Sequence, residues 1–385
     1  MACTSGVGYL IMEKEAISIH YNEIALKGKL RSKFEDVLRK NIDYETGNLA
    51  STLQGRLFLG NSDENTLNLL KLTPGVSWVS KAMFIDRDTD MLIKVLKELV
   101  SRHGNKVNLD VRRIDKSFPR TSLEVKQKLI KDLGLKLSTD GYRLRIEITN
   151  KEFIVNYNIE KAIGGMPVGS AGNIISLFSG GIDSAVAPIE MMKRGCSVDL
   201  LHVYAMPDSN LALSGKIAEI ASRLSLIEPV RLYLVPFHFF NLKVTEINPR
   251  YELVLFKRFL LKLAEEMCYR YNYKGLSTGD SLSQVASQTL DNINAISYGF
   301  NVPIFRPLLS HNKEEIIEKA KLYSTYEMSI KSYKDCCSLV SKKPLTAASK
   351  IKVEEFENKI GLDKIINDSL SQLAIASFIH GQRIN

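Results

Sequence analysis

The sequence has no run of about 18 consecutive apolar residues, so no membrane-spanning helix is expected. Its first dozen residues lack a basic stretch followed by an apolar core, which argues against a secretory signal. Only five cysteines occur in 385 residues, and none forms a Cys-x-x-Cys pair. This scarcity argues against a disulfide scaffold and against a zinc ribbon. It indicates a reducing compartment, so we expect a cytoplasmic protein with no metal held by its own residues.

The composition is that of a globular protein, with 45% hydrophobic and 25% charged residues. A length of 385 residues suggests two or three domains. The net charge is +9, and residues 101–150 hold 12 basic against six acidic groups, which accounts for most of that excess. Concentrated positive charge indicates a polyanionic partner.

A glycine-rich segment, residues 164–172, divides the chain and is typical of a linker. Before it, short strand and helix patterns form two small α+β segments. After it, strands alternate with helices, as in the predicted strand 174–178, helix 184–194 and strand 198–205. This alternation predicts a doubly wound parallel sheet, in which ligands bind at the carboxyl ends of the strands.

The most informative motif is Ser179-Gly-Gly-Ile-Asp-Ser184, which directly follows a predicted strand. Gly180 and Gly181 allow a sharp turn that exposes backbone amides, and amides at the start of a helix bind phosphate. Asp183 would cap the helix or act on a bound metal. A simpler interpretation is an ordinary strand–turn–helix with Asp183 or Ser184 as its N-cap. Because no Gly-Lys-Ser/Thr follows, the motif is not a Walker A loop.

This motif resembles the PP-loop of ATP pyrophosphatases, which split ATP into AMP and pyrophosphate. Five further segments resemble segments of tRNA 4-thiouridine synthetases of the ThiI type and follow the same order along the chain as in that family. They begin at Tyr21, Val111, Thr278, Arg306 and Asp335. The resemblance runs from about residue 16 to about residue 350. It implies an α/β protein of three domains joined by the linker. These are an N-terminal ferredoxin-like α+β domain (1–64), an RNA-binding THUMP domain (65–163), the linker (164–172) and a Rossmann-like PP-loop domain (173–385).

The resemblance implies an enzyme that uses ATP, with Mg²⁺, to adenylate O4 of uridine 8 in tRNA. Sulfur then displaces AMP and forms 4-thiouridine. The implied partners are tRNA and a sulfur donor, which is a cysteine desulfurase, another persulfide carrier or sulfide. Some relatives add a C-terminal rhodanese domain, for which too few residues follow Cys337, and this domain is not expected. A homodimer and a role in thiazole synthesis stay open.

By resemblance, the nucleotide site comprises the phosphate loop and residues on the following strands and helices. They are Leu177, Phe178, Ser179, Gly180, Gly181, Asp183, Ser184, His202, Val203, Lys257, Arg258, Gly279 and Gln288. Asp183 is the expected catalytic acid, and the sequence does not decide between Lys257 and Arg258 as the basic contact. Cys337 matches the family's catalytic sulfur-transfer cysteine, although a small buried hydrophobe is the simpler interpretation. Cys336 is either a resolving thiol or a core residue.

Basic residues of the amino-terminal half form the candidate RNA-binding set. They are Lys27, Lys29, Arg31, Arg112, Arg113, Lys116, Arg120, Arg143 and Arg145. Arginine binds phosphates bidentately, and the nearby Phe118 offers a ring for stacking. A charge run is commonly only a solvated face, but the local excess and the resemblance favour RNA binding. Two rival functions stay open: a PP-loop ligase of a small molecule, and an RNA-binding protein with a silent nucleotide site.

Overall fold

The computed structural model describes residues 14–53, 56–60, 63–340 and 344–385. These residues form two compact units. The first comprises the described residues before 32 together with 46–164, and the second comprises 32–45 together with 165–385. Within the described ranges, no helix is both long and apolar enough to cross a membrane.

The amino-terminal elements centre on one eight-stranded sheet. Its strands are β1 (Lys14–His20), β2 (Ser51–Leu53), β3 (Arg56–Gly60), β4 (Trp78–Asp86), β5 (Lys106–Arg113), β6 (Lys136–Leu137), β7 (Tyr142–Ile148) and β8 (Glu152–Lys161). The helices in this part of the sequence are a 3₁₀ segment (Glu23–Leu30), α1 (Arg31–Thr46), α2 (Glu64–Lys71), α3 (Thr89–His103) and α4 (Ser122–Leu133). Nearly all of α1 belongs to the second unit. The strand order is β2-β3-β1-β4-β8-β7-β5-β6, so a single sheet runs through both predicted amino-terminal modules.

Helices α3 and α4 form where the sequence supplies end caps and an apolar face. The Asp88 side chain accepts from amides in the first turn of α3. Thr121 and Glu124 form a reciprocal capping box on α4, and Gly134 ends that helix in the left-handed region. The buried leucines and valines of both helices join one apolar cluster with β5 and β7. Packing against the sheet therefore stabilises these amphipathic helices.

The carboxy-terminal elements form an α/β domain around a seven-stranded sheet. Its strands are β9 (Gly172–Leu177), β10 (Cys196–Tyr204), β11 (Val230–Pro236), β12 (Leu276–Ser277), β13 (Ile304–Phe305), β14 (Ala374–Ile379) and β15 (Gln382–Arg383). Its helices are α5 (Ile182–Met192), α6 (Ser209–Ala212), α7 (Lys216–Leu224), α8 (His238–Val244), α9 (Glu252–Tyr271), α10 (Leu290–Ser297), α11 (Lys313–Leu322), α12 (Tyr326–Ser329), α13 (Cys336–Leu339), α14 (Lys350–Ile360) and α15 (Leu362–Ser371). Short 3₁₀ turns span Pro249–Tyr251 and Ala286–Gln288.

The strands of this sheet follow the order β13-β12-β9-β10-β11-β14-β15. All neighbours from β13 to β11 are parallel, which confirms the predicted parallel sheet. The edge differs from the prediction, because β14 runs antiparallel to β11. Leu201 and Val203 of β10 join the apolar cluster with α9. Since side chains alternate along a strand, Leu200 and His202 point to the opposite face, and both are buried, so both faces of the sheet are covered.

Candidate functional site

The loop between β9 and α5 has the form expected of a phosphate-binding turn. Gly181 is the N-cap of α5, and no side chain caps that helix. The interpretation in which Asp183 or Ser184 is the N-cap is therefore wrong. The Ser184 hydroxyl instead accepts from the Ser179 amide at 3.2 Å and donates to the Gly181 carbonyl at 3.0 Å. The uncapped helix start offers amide donors and a partial positive charge to an anion.

Two glycines make this turn sterically feasible. Gly180 has φ +80°, a conformation that other residues rarely adopt. Gly279, just after β12, faces the start of α5, and a Cβ there would lie 2.8 Å from the Asp183 carbonyl carbon. Gly279 therefore permits the close approach of two backbones beside the phosphate loop.

An open cleft of about 830 Å³, including its mouth, lies at the carboxyl ends of β9, β10 and β12. This is the position expected for a ligand in a doubly wound sheet. Most of the predicted nucleotide residues line it: Leu177, Phe178, Ser179, Gly181, Asp183, Ser184, Val203, Lys257, Gly279 and Gln288. Gly180, His202 and Arg258 lie outside that lining. Asp335 and Cys336 also border the cleft, next to the predicted sulfur-transfer cysteine.

Asp183 contacts two polar side chains that the sequence analysis did not identify. The Lys313 Nζ lies 2.6 Å from one carboxylate oxygen, and the Gln284 amide donates to the other at 2.8 Å. Lys313 is the first residue of α11, 130 residues from Asp183 along the chain, so no local pattern relates them. Gln284 lies within the segment that begins at Thr278. Its place in that motif was the only sequence feature that could have identified it as a site residue.

Asp280 organises the opposite wall of the cleft. Its buried carboxylate lies 3.2 Å from the Lys257 Nζ and 3.4 Å from the Arg306 Nε, and it accepts from the Thr278 hydroxyl at 2.6 Å. Burial alone would raise the pKa of Asp280. Lys257, Thr278 and Arg306 outweigh burial and lower this pKa to about 2. The ionised carboxylate therefore holds the Lys257 ammonium at the cleft.

Arg258 belongs to the protein core rather than to the cleft. Its side chain is 3% exposed, and its Nε and Nη2 pair with both Glu357 oxygens at 2.6 and 3.1 Å. Its Nη1 donates to the carbonyl oxygens of Ile296 and Tyr298. These contacts favour Lys257 over Arg258 as the basic residue available to a nucleotide.

His202 is fully enclosed at the end of β10. Its Nδ1 lies 2.7 Å from the Phe178 carbonyl oxygen, and its Nε2 lies 2.8 Å from the Tyr333 hydroxyl oxygen. Burial lowers the pKa of His202 to about 4, so its ring is neutral near pH 7. With both ring nitrogens bonded to protein groups, the imidazole is not directed at the cleft.

The two adjacent cysteines lie in the short helix α13. Cys336 is buried, and its Sγ donates to the Val203 carbonyl at 3.3 Å. The side chain of Cys337 lies outside the described residues, so its predicted role stays a prediction. The burial of Cys336 is typical of a core thiol rather than of an exposed resolving thiol.

A separate groove in the first unit gathers several of the predicted RNA-binding residues. Arg31, Arg112 and Arg145 line it, together with the aromatic rings of Tyr21, His20 and Trp78. We call this the arginine groove. Arg56 also lines it and was not predicted; its Nε lies 2.8 Å from the fully buried Glu147 carboxylate. The strand pairing of β1 with β4 places His20 opposite Trp78, although the two residues are distant in sequence.

Ring stacking gives the arginine groove its floor. The His20 and Trp78 rings stack with centroids 3.4 Å apart, and the Arg145 guanidinium lies 4.7 Å from the Trp78 ring centre. Burial, followed by the charges of Arg56, Arg145 and Arg112, lowers the pKa of His20 to about 2. The groove thus combines fixed guanidinium charge with a neutral, rigid aromatic surface.

The other predicted RNA-binding residues are dispersed over the first unit. Arg143 lines a second groove with Lys126 and Lys161. Arg113 donates to the carbonyl oxygens of Phe118 and Arg120, so it holds its own loop together. Six of the predicted side chains are exposed to solvent: Lys27, Lys29, Arg112, Lys116, Arg120 and Arg143.

Among the described residues, no group of three or more His, Cys, Asp or Glu side chains is arranged to hold a metal ion.

Comparison with known proteins agrees with this geometry. Residues 169–362 match the family model "Thiamine biosynthesis protein (ThiI)", and residues 16–80 match "ThiI ferredoxin-like domain". A "Probable tRNA sulfurtransferase" of Thermoanaerobacter pseudethanolicus is 34% identical over 92% of this chain and 98% of its own length. One of Caldanaerobacter subterraneus subsp. tengcongensis is 33% identical over 92% of this chain and 98% of its own length.

A solved structure, a 4-thiouridine synthetase–RNA complex with bound ATP, has a TM-score of 0.83 and 27% sequence identity. The match covers 95% of this chain and 100% of that one. The predicted fold class, with its ferredoxin-like domain and Rossmann-like sheet, is confirmed. With the phosphate loop, the cleft and the matched length in agreement, the chain belongs to the ThiI family of tRNA sulfurtransferases, the tRNA 4-thiouridine synthetases.

Proposed function

We propose that this sulfurtransferase converts uridine 8 of tRNA to 4-thiouridine in two steps, through an intermediate adenylated at O4. The observation that carries the proposal is one cleft bordered both by the phosphate loop and by the helix that contains Cys337. The related 4-thiouridine synthetase, which has RNA and ATP bound, supports the same substrates for this chain.

In the first step, uridine O4 attacks the α-phosphorus of ATP. The bond from that phosphorus to the bridging oxygen breaks, pyrophosphate leaves with the electron pair, and the uracil N3 proton is released to solvent. Charge builds on the departing phosphates, and donors held in place before the reaction stabilise it. The amides at the start of α5 and the ammonium groups of Lys257 and Lys313 are suited to this task. Asp183, whose carboxylate contacts Lys313 and Gln284, is the acidic residue that we propose to be essential for this step.

Mg²⁺ fits this arrangement as a companion of ATP. It usually keeps several waters and binds through one or two carboxylates together with substrate phosphates. Asp183 beside the phosphate loop offers such a carboxylate. Bound there, Mg²⁺ would supply positive charge against the pyrophosphate.

In the second step, a sulfur nucleophile forms a bond to C4, and AMP leaves with the original oxygen. Hydrosulfide completes this exchange without a redox partner. If the sulfur is the outer atom of a Cys337 persulfide, a disulfide joins C4 to Cys337. An added thiol must then reduce that disulfide to release 4-thiouridine. A cysteine desulfurase, another persulfide carrier or sulfide is the proposed donor.

The three-domain organisation also stays a proposal, with boundaries 1–64, 65–163 and 173–385 around the linker 164–172. The single sheet of the first unit supports the first two domains acting together on RNA. The arginine groove lies in this unit, and the ATP cleft lies in the other.

The test measures pyrophosphate release and 4-thiouridine formation with ATP, sulfide and tRNA. We expect release to require tRNA and to be lost in Asp183→Ala, while the exposed Asp291→Asn stays active as a matched control. A tRNA with cytidine in place of uridine 8 should not react. Release driven by small molecules alone would favour a small-molecule ligase, and tRNA binding without turnover would favour a silent nucleotide site. Full thiolation by Cys337→Ser with a persulfide donor would remove that residue from the mechanism.

A further inference from the structure

A hydrogen-bonded chain joins the phosphate loop to the segment that precedes the cysteine helix. The His202 Nδ1 lies 2.7 Å from the carbonyl oxygen of Phe178, the residue just before the loop motif. The Nε2 of the same ring lies 2.8 Å from the hydroxyl of Tyr333, three residues before Cys336. One buried side chain therefore touches both parts of the proposed reaction centre.

The chemistry of the partners fixes the direction of this chain. A carbonyl oxygen only accepts hydrogen bonds, so the His202 Nδ1 must carry a proton. In a neutral ring the Nε2 then has no proton and must accept from the Tyr333 hydroxyl. Tyr333 therefore donates to His202, and His202 donates to Phe178, with no alternative pattern that satisfies all three groups.

Further contacts hold the same segment. The Cys336 Sγ donates to the carbonyl oxygen of Val203, the neighbour of His202. The Lys216 ammonium lies 5.7 Å from the Tyr333 ring centre and donates to the Ser329 carbonyl at 3.1 Å. The backbone from 329 to 336 is thus fixed to the end of β10 and to the start of α7.

We propose that His202, Tyr333 and Cys336 are positioning residues that set the cysteine helix α13 against the phosphate loop. They would govern the transfer of sulfur rather than the formation of the adenylate. Cys336 is then an anchor of the helix and not a resolving thiol. This inference rests on the proposed function, in which Cys337 carries the sulfur.

The first experiment compares two yields in one reaction with a persulfide donor. Tyr333→Phe removes one hydroxyl, and we expect pyrophosphate release within about twofold of wild type. We expect the yield of 4-thiouridine per pyrophosphate to fall at least tenfold, because small misplacements of reacting groups cost on the order of 10²-fold in rate. Tyr326→Phe, on α12, is the matched control and should leave the ratio unchanged. An unchanged ratio in Tyr333→Phe, or an equal fall of both yields, would overturn the proposal.

Energetic coupling between His202 and Tyr333 can also be tested with single and double variants. His202→Asn keeps an amide donor near the Phe178 carbonyl but cannot reach Tyr333. We expect the same loss of sulfur transfer as in Tyr333→Phe, and no further loss in the double variant, because both changes break one interaction. Additive losses would contradict a shared role.

A readout without catalysis separates this inference from the proposed function. In a Cys337→Ser background, peptide mass spectrometry follows alkylation of Cys336 by iodoacetamide. We expect slow alkylation with Tyr333 present and at least tenfold faster alkylation in Tyr333→Phe. An equal rate in the two proteins would remove the anchor role, whether or not the wild type makes 4-thiouridine.

Discussion

Lys257 and Arg258 are neighbours in sequence, yet they meet different surroundings because a helix turns by about 100° per residue. The Lys257 ammonium faces the cleft and Asp280, whereas the Arg258 guanidinium is enclosed with Glu357. Substitutions of Lys257 and of Arg258 should therefore have different effects on the protein.

Arg258→Met should destabilise the protein by about 3–5 kcal/mol, because it leaves the buried Glu357 carboxylate without its partner. Urea denaturation at pH 7 measures this loss. The double variant Arg258→Met with Glu357→Leu should recover much of it, since no uncompensated charge then remains. Arg270→Met, in an exposed pair with Glu266 on the same helix, is the control and should cost about 0–1 kcal/mol. A loss below about 1 kcal/mol in Arg258→Met would contradict the structural role.

Lys313→Gln should slow tRNA-dependent pyrophosphate release by roughly 10²-fold, the usual cost of losing one donor to a developing charge. Its ammonium lies 2.6 Å from Asp183, so the substitution also removes the ion pair of that carboxylate and leaves it only the Gln284 hydrogen bond. The measurement is single-turnover release at saturating ATP. Lys321→Gln, exposed on the same helix, is the control. A Lys313→Gln rate within about twofold of wild type would show that Lys313 has no part in the step.

At the scale of elements, β9, the loop and α5 form a unit that depends on the strand beside them. Gly279 follows β12, and its bare backbone allows the start of α5 to lie against it. A Cβ at this position would clash with backbone atoms of Asp183 and Ser184. Those atoms cannot move aside as a flexible side chain can.

Gly279→Ala should therefore displace the phosphate loop, costing about 1–3 kcal/mol of stability together with a larger loss of ATP binding. Thermal unfolding and ATP titration measure the two effects. Gly60→Ala is the control, because a Cβ there meets no atom within 4 Å. Normal ATP affinity in Gly279→Ala would contradict the role assigned to this contact.

At the scale of the whole molecule, the positive charge and the ATP cleft belong to different units. When guanidinium groups bind RNA phosphates, the counterions associated with the RNA are released. The affinity for tRNA should therefore fall steeply as the salt concentration rises.

Arg143→Gln should lower the slope of log affinity against log salt concentration by roughly 1, the effect of losing one phosphate contact. Filter binding of tRNA over a salt series measures the slope. Lys352→Gln, in an exposed pair with Glu355 on α14, is the control and should leave the slope unchanged. An unaltered slope in Arg143→Gln would remove this residue from the RNA surface.

Several elements were predictable because their signals are local. The predicted strands 174–178 and 198–205 overlap β9 and β10, and the predicted helix 184–194 overlaps α5. The phosphate loop follows from a strand, two glycines and a helix in direct succession. These features depend on backbone conformation and on nearest neighbours, which the sequence encodes directly.

The nucleotide residues that line the cleft were named from sequence through motifs of the family, and their roles stay predictions. The sequence did not identify Lys313 or Arg56 as site residues, because their partners are distant in sequence. No periodic pattern relates an ammonium or a guanidinium group to a remote carboxylate. The antiparallel strand β14 escaped for the same reason, since its direction depends on pairing with β11.

By itself, the sequence determined the strand, glycine turn and helix of the phosphate loop and the location of the excess charge, since each is a property of consecutive residues. Only the tertiary structure decided that Lys257 faces the cleft while Arg258 is buried, and that His202 bonds to Tyr333. Those outcomes depend on which surfaces meet when the sheet and helices pack. Burial and long-range hydrogen bonding then assign a role to each side chain that its residue type leaves open.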